Sequence, residues 1–295
     1  MEYYLQLIIN GLVVGSIYSL VALGFVIIYK ATKVVNFAQG ELVMVGAYIC
    51  FGLTVQLQLP FWVAFLLTLV VSVLVGLAIE RLVLRPMIGE KIISVIMVTI
   101  GLSTVLKSLV QLIWGTQIQV FPAVLPQEPL VLAGVPVAPV YIAAFCLAAL
   151  LFAVFSLYFK YSKLGIAMRA TAFDQCAAAS MGIGIKNIFA LSWCIAAVVS
   201  SIGGVILGNI NGINSQLGHL GLKVFPAVIL GGLDSLLGAA LGGLVIGVLE
   251  NICDGAAKQL FDLNGFKEVA AFVFLVIILM IKPHGLFGAK EIERV

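Results

Sequence analysis

Apolar residues along this chain gather in runs of roughly 20, which is the length of helix that crosses a bilayer. The runs are Tyr4–Tyr29, Leu42–Leu57, Phe61–Leu84, Ile92–Trp114, Val140–Tyr158, Ile188–Leu207, Val224–Ile252 and Phe266–Ile281. Their length and number predict an all-α, polytopic integral membrane protein. We interpret residues 1–295 as a single membrane-embedded domain.

One run is too long for a single crossing and is interrupted. Val224–Ile252 contains the turn-forming stretch GGLDS, and the part before it, VFPAVILGG, is too short for a regular crossing. We therefore predict two passes here, the first a half-helix. The whole chain then holds about eight transmembrane helices and one short or re-entrant helix.

Composition agrees with a membrane location. Hydrophobic residues make up 63% of the chain, charged residues 10%, and the mean hydropathy is +1.22. About a quarter of the residues are charged in an ordinary soluble domain. The net charge of +3, without a basic patch of interleaved aromatics, does not indicate nucleic-acid binding. The first apolar run has no basic residue before it and exceeds a signal-peptide core, so we expect a retained span.

Basic residues predict the orientation, because cytoplasmic loops are enriched in Lys and Arg. They cluster between alternate apolar runs and at the end of the chain: Lys30, Lys33, Arg81, Arg85, Lys91, Lys160, Lys163, Arg169, Lys186, Lys282, Lys290 and Arg294. Residues 115–139 contain none and read as an external loop with short extended pieces. We expect the amino terminus outside, and residues 159–187 and the carboxyl terminus in the cytoplasm.

A short internal repeat marks a candidate translocation path. Gly40–Ala47 and Gly232–Ala239 share a glycine, five residues, then Gly-Ala, with an acidic residue near the first glycine. Interrupted, duplicated segments build many transport pathways. The candidate path residues are Asn36, Gln39, Gly40, Glu41, Gly231, Gly232 and Asp234. Capping of the adjacent helices is an alternative role for Glu41 and Asp234.

Catalytic and metal-binding patterns are missing from the sequence. It contains no GxxxxGK[ST], GxSxG or HExxH motif, and its 5 cysteines are scattered without a CxxC pair. We therefore expect no catalytic residue, no metal and no cofactor. If transport is energised, the energy must come from a partner or an ion gradient.

Ionisable residues within the apolar runs are few, and each is costly there. Lys107 lies past the middle of its run and is expected to extend toward the outer interface. His219 is isolated on a predicted external loop. No series of Asp, Glu or His crosses the membrane, which disfavours a proton-coupled transporter. Because the candidate path offers no pair of fixed opposite charges, we expect a weak or absent substrate site.

The longest polar interruption, Lys163–Asn187, predicts an amphipathic helix over Leu164–Met181. Its apolar face comprises Ile166, Ala170, Phe173, Ala177 and Met181, and Gly182 with Gly184 ends it. The charged side chains of this stretch should point away from that face. Such a helix either lies on the lipid surface or docks in a groove of a cytoplasmic protein, and the pattern favours neither.

Four stretches resemble one known family. The first is SKLGIAMRA at Ser162–Ala170, together with Asp174, Ala178 and Met181–Ile183 after it. The others are VVNFAQGELVMVGAY at Val34–Tyr48, AVILGGLDSLLGAALGGLVIG at Ala227–Gly247, and the tail sequence KPHGLFG. Together they resemble permeases of branched-chain amino acid ABC importers, the LivH/LivM family, and most closely its LivH type. The stretches sample the whole length of the chain.

The resemblance implies a permease that pairs with a second, LivM-type permease. Two cytoplasmic ATPases, which alone would bind ATP and Mg, drive the pair, and a periplasmic protein delivers leucine, isoleucine or valine. It also implies that the cytoplasmic helix couples to an ATPase through the matching positions Gly165, Arg169, Ala170, Asp174, Ala178 and Gly182. Selectivity would reside in the external binding protein. Urea and short-amide permeases share these motifs and are the alternative; an ion-coupled transporter or a passive channel is less favoured.

Overall fold

The computed structural model describes residues 2–122, 128–132, 135–261, 265–282 and 285–288. Lys290 and Arg294, which contribute to the predicted orientation, lie outside these residues. Within them, the helices are α1 Glu2–Thr32, α2 Gln39–Phe51, α3 Phe61–Ile79, α4 Ile92–Trp114, α5 Pro139–Tyr161, α6 Lys163–Phe173, α7 Gln175–Ser180, α8 Ile185–Asn211, α9 Leu220–Gly231, α10 Leu236–Phe261 and α11 Phe266–Ile281. The predicted all-α, polytopic class is confirmed.

Six helices in the described part of the chain are long and apolar enough to cross a bilayer: α1, α3 with its extension to Met87, α4, α5, α8 and α10. The remaining two of the expected crossings are shorter. Helix α2 continues as a π-helical turn over Gly52–Gln56, and the apolar part of α11 is Val269–Ile281. In the predicted external loop, β1 Leu130–Leu132 pairs antiparallel with β2 Val135–Val137.

The predicted break in the long apolar run is confirmed. Helix α9 has 12 residues and ends at Gly231, Gly232 has a φ of +101°, and α10 begins at Leu236. A tail segment packs on this break: the N–H groups of Leu286 and Phe287 donate to the carbonyls of Leu230 and Gly231 at 2.7 and 3.2 Å. The last carbonyls of α9 are thereby satisfied without water.

The chain divides into two compact units. Unit 1 comprises residues 1–26, 127–154 and 223–295, and unit 2 comprises residues 27–126 and 155–222. In unit 1, α1 packs closely on α10: a Cβ at Gly15 would lie 2.7 Å from the Cα of Leu244, and one at Gly243 would lie 2.6 Å from the backbone nitrogen of Ser19. Such small residues let membrane helices approach where lipid supplies no hydrophobic drive.

Unit 2 is built around α2, α3, α4 and α8. Its core includes the fully buried Trp193 of α8, with Leu42 of α2, Ile79 of α3 and Leu106 of α4. Helix α2 meets α8 through glycines from both sides. A Cβ at Gly46 would lie 2.3 Å from the Cα of Ser201, and one at Gly204 would meet the Val43 carbonyl. The α2–α8 contact is therefore a backbone-to-backbone contact.

We expect Gly46→Ala to destabilise unit 2 by about 1–3 kcal/mol, because the added methyl group overpacks the α2–α8 contact. The midpoint of thermal unfolding of the detergent-purified protein measures this. Gly101 is a matched control, since it is helical and a Cβ there would meet no atom within 4 Å. Gly101→Ala should change stability by less than about 1 kcal/mol; equal effects of the two substitutions would contradict the packing argument.

Candidate functional site: the start of α2 and the α6–α7 helix pair

The segment between α1 and α2 is held by side-chain amides. The Asn36 side-chain oxygen accepts from the Ala38 N–H at 3.0 Å, and the Asn36 amide donates to Gln39 Oε1 at 3.3 Å. Gln39 Nε2 in turn donates to Ser200 Oγ of α8 at 2.6 Å. Asn36 and Gln39 are 1% and 0% exposed. The two predicted path residues therefore close the start of α2 against α8 in this conformation.

Helix α2 begins partway along its neighbours. Phe37, two residues before the first residue of α2, donates its N–H to Thr99 Oγ1 of α4 at 3.3 Å. Thr99 and Ser200 are both interior positions of helices long enough to span a bilayer. It follows that α2 starts inside the bundle of unit 2 rather than at its edge, as a discontinuous transmembrane helix does.

A second interruption meets the first at Gly40. The chain leaves α8 at Gly212, where φ is +74°, and turns into α9. A Cβ at Gly40 would lie 1.9 Å from the Gly218 carbonyl oxygen and 2.6 Å from the Gly221 nitrogen. The N-terminal ends of α2 and α9 thus touch through glycine backbone. This contact explains why the candidate path residue Gly40 has no side chain.

Three ionisable side chains converge at this contact. The buried Glu41 carboxylate lies within interaction range of the Lys107 ammonium and the Ser103 hydroxyl. A Cβ at Gly218 would lie 3.0 Å from Glu41 Oε1. Lys107 Nζ is 3.2 Å from His219 Nε2. The expectation that His219 is isolated is wrong, because the turn before α9 brings His219 to Lys107 of α4. The expectation that Lys107 extends toward the outer interface stays a prediction.

The same cluster corrects the expectation that the path offers no pair of opposite charges. Glu41 and Lys107 carry opposite charges and interact electrostatically between α2 and α4. Glu41 also lies in the first turn of α2. Sequence reasoning missed the pair because the two residues belong to different apolar runs. The available signal was that each is an ionisable residue in a run where charge is costly.

The remaining path candidates lie in unit 1. Gly231 ends α9 against α10, where a Cβ would lie 2.1 Å from the Gly238 carbonyl oxygen. Gly232 follows with its positive φ, and a Cβ there would lie 2.5 Å from the Gly288 nitrogen of the tail. Asp234 is half-buried in the turn. The Ser235 hydroxyl accepts from the Gly238 N–H at 3.0 Å, so Ser235 provides this N-terminal cap of α10.

The loop between α5 and α8 forms two helices, and the single helix expected over Leu164–Met181 is wrong. Helix α6 ends at Phe173, and Asp174 has φ −153° and ψ 112°. Its carboxylate accepts from the Ala177 N–H at 2.9 Å and caps α7. Aspartate competes with helical hydrogen bonding in this way. The end predicted at Gly182 is confirmed: its φ is +83°.

Local contacts account for most of the loop residues that match the family pattern. A Cβ at Gly165 would lie 2.7 Å from the Phe159 backbone, and the Arg169 guanidinium donates to the Phe159 carbonyl. These contacts fold α6 onto the end of α5. The Ala170 carbonyl accepts from the Asp174 N–H at 3.1 Å, and the buried Ala178 accepts from the Ile183 N–H at 3.0 Å across the turn at Gly182.

The α6–α7 pair exposes large apolar side chains around a groove. Phe173 is 93% and Met181 85% exposed. The groove is lined by Ile166, Arg169, Ala170, Phe173, Asp174, Ala177, Ala178, Met181 and Ile183. Arg169 and Asp174 therefore border the same groove as the apolar residues, contrary to the expectation that the charges point away. The reason is the break at Asp174, which redirects α7.

Within the described residues, no group of three His, Cys, Asp or Glu side chains is arranged to hold a metal ion. The three ionisable groups of the α2–α9 contact are a carboxylate, an ammonium and an imidazole. This arrangement suits a ligand with charges of both signs.

The chain is similar to known proteins over nearly its whole length. Residues 7–282 match the family profile described as branched-chain amino acid transport system / permease component. The chain is 35% identical to the high-affinity branched-chain amino acid transport system permease protein BraD of Pseudomonas aeruginosa, over 99% of this chain and 98% of the relative. It is 31% identical to the corresponding LivH protein of Escherichia coli K12, with the same coverage.

A solved structure shares the fold at low sequence identity. PsaBC from Streptococcus pneumoniae, solved in complex with a Fab, superposes with a TM-score of 0.50 at 13% identity. The alignment covers 93% of this chain and 91% of the other. At this identity the likeness concerns the fold alone.

Cysteine introduced at Asn36 or Gln39 in a cysteine-free background should be unreactive toward a water-soluble maleimide in the conformation described here. Both positions are closed off by the hydrogen bonds to α8. If these residues line the path, labelling should appear in only one nucleotide state of the transport complex. The exposed Gln56 is the control, since Gln56→Cys should react in every state. Identical labelling of Asn36→Cys or Gln39→Cys in all states would contradict a lining role.

Proposed function

The chain belongs to the family of permease components of branched-chain amino acid transport systems, and from this we propose that it carries leucine, isoleucine and valine across the inner membrane as a subunit of an ATP-driven importer. The observation that carries the proposal is similarity to the permeases BraD and LivH over 99% of the chain. The chain supplies the membrane path, and ATP and Mg bind to other subunits.

The partners follow from this proposal. The pore is completed by a second, LivM-type permease, two ATPases bind on the cytoplasmic side, and a periplasmic protein delivers the amino acid. The distribution of basic residues supports an external amino terminus and a cytoplasmic α6–α7 pair and carboxyl terminus. The groove beside Phe173 and Met181 supports docking to an ATPase, because exposed apolar side chains next to charges suit a protein interface.

Contacts within unit 2 supply a route from the ATPase to the path. Helices α6 and α7 both contact α8. Helix α8 holds the start of α2 through Ser200 and Gln39 and packs on Gly46 through Ser201. A displacement of α6–α7 on ATP binding therefore moves α8 and changes the contact that closes the start of α2. Because α2 and α8 also touch backbone to backbone at Gly46 and Gly204, their packing transmits rather than absorbs the displacement.

Reconstitution tests the proposal. The chain, co-expressed with the adjacent permease, ATPases and binding protein, should copurify with the ATPases. In proteoliposomes it should take up leucine only when ATP and the binding protein are both present. Uptake of urea or a short amide, but not of leucine, would show that the substrate assignment is wrong and that the chain is an amide permease. Leucine uptake by the isolated chain, driven by an ion gradient, would overturn the importer proposal.

Substitutions at Asp174 separate capping from docking. Asp174→Asn keeps a side-chain oxygen for the Ala177 N–H but removes the charge, whereas Asp174→Ala removes both and should destabilise α7 by about 1 kcal/mol. If the charge contacts the ATPase, both variants should lose most uptake. If Asp174 only caps α7, Asp174→Asn should transport normally.

Phe173→Ala tests the apolar side of the same groove. It should reduce copurification of the ATPase at least about tenfold, because exposed aromatic anchors dominate many interfaces. Insertion and thermal stability should not change, since Phe173 is 93% exposed. The exposed Leu164 of α6 does not line the groove, and Leu164→Ala is the control. Equal ATPase recovery with Phe173→Ala and the unmodified chain would contradict docking at the groove.

A further inference from the structure

Glu41, Lys107 and His219 form a cluster of ionisable side chains at the start of α2. Glu41 is buried, Lys107 is half-buried and His219 is exposed, so the cluster is open on one side. Lys107 Nζ and His219 Nε2 lie 3.2 Å apart, within hydrogen-bonding distance. The cluster therefore presents a carboxylate and an ammonium group, with an imidazole beside the ammonium group.

Charges within a membrane segment are costly and mark functional positions by default. When a buried pair of charges serves only to hold helices together, substituting well-packed apolar residues for it often costs no stability. In this unit the close packing of α2 already comes from Gly40 and Gly46. The charges of Glu41 and Lys107 are therefore not needed for packing and are available to bind a ligand.

We propose that Glu41, Lys107 and His219 form a binding site for a zwitterionic α-amino acid within the path. Glu41 binds the ligand's ammonium group, and Lys107, positioned by His219, binds its carboxylate. The inference rests on the proposed function, because it takes the cargo to be an amino acid. It adds the residues that bind the part common to leucine, isoleucine and valine.

Charge balance selects this ligand class. A zwitterion places its ammonium group beside Glu41 and its carboxylate beside Lys107, and it adds no net charge to the site. A ligand with a single charge would leave Glu41 or Lys107 without a counter-charge in apolar surroundings, which is unfavourable. Urea, which is uncharged, would gain no ionic contact. The site therefore favours amino acids over the substrates of amide permeases.

The position of Glu41 also links binding to the conformational change. Glu41 lies two residues after Gln39, which is hydrogen-bonded to Ser200 of α8. Because α2 packs on α8 without room for a Cβ at Gly46, a movement of α8 would carry α2 with it and change the separation of Glu41 from Lys107 on α4. Ligand contacts made in one arrangement would be weakened in the other, so the amino acid would be released rather than held. Affinity should accordingly be low.

Equilibrium binding of radiolabelled leucine to the permease–ATPase complex, without binding protein, tests the site. The unmodified complex should bind leucine saturably, on the order of millimolar. Glu41→Gln and Lys107→Gln should each weaken binding at least about tenfold, as expected for loss of a charged hydrogen bond. Glu250→Gln is the control, because Glu250 is a buried carboxylate on α10 hydrogen-bonded to Tyr18 at 2.9 Å, and should bind leucine normally.

The double variant Glu41→Gln, Lys107→Gln separates binding from folding. It leaves no uncompensated charge, so the complex should still assemble, as measured by size-exclusion chromatography, while leucine binding is lost. An assembled double variant with native leucine affinity would overturn the inference, as would the absence of saturable binding to the unmodified complex.

Competition on the unmodified complex needs no variant and assigns the two charges. We expect 4-methylpentanoate, which lacks the ammonium group, and 3-methylbutylamine, which lacks the carboxylate, to compete at least about tenfold less well than leucine. Equal competition by either compound would overturn the corresponding contact.

Uptake with the binding protein present distinguishes this inference from the proposed function. If the complete importer takes up leucine but leucine binding is insensitive to Glu41→Gln and Lys107→Gln, only the site is wrong. If the complete importer takes up no branched-chain amino acid, the proposed function fails, and the site assignment fails with it.

Discussion

A bilayer offers no hydrogen-bond partners to the backbone, so a chain that leaves helical geometry inside it must find those partners within the protein. Before α2, Asn36 and Thr99 accept from backbone N–H groups at 3.0 and 3.3 Å. Before α9, Gln119 and Ile213 exchange two backbone hydrogen bonds at 2.8 and 2.7 Å. These bonds permit α2 and α9 to begin at the point where their N-terminal ends touch. The cluster of Glu41, Lys107 and His219 lies at that contact.

Glycine residues allow α2 to approach α9 and α8 this closely. Gly40 lies against Gly218 and Gly221, and Gly46 lies against Ser201, at distances that admit no Cβ. The start of α2 consequently has little room to shift independently of α8 and α9. Rigid contact of this kind lets a movement at one end of a helix appear at the other, which is the property an ATP-driven path needs.

In the α6–α7 pair, charged side chains likewise have both a local structural role and a place at the groove. Asp174 caps α7 and borders the groove, and Arg169 holds α6 to the end of α5 and borders it as well. Each charged side chain thus orders the surface that it also helps to form. The exposed Phe173 supplies the apolar area, so affinity and orientation at the proposed ATPase interface come from different residues.

The sequence by itself determined the membrane-spanning helices, the break at Gly232 and the end of α7 at Gly182, because apolar length and glycine conformation are local properties. It did not place the break at Asp174, since an aspartate can be exposed within a helix or cap the next one. Only the tertiary structure brought Lys107 to Glu41 and, across 112 residues of sequence, to His219. Residues on separate helices share a site only when packing fixes the relative depth of those helices, and no local pattern encodes that depth.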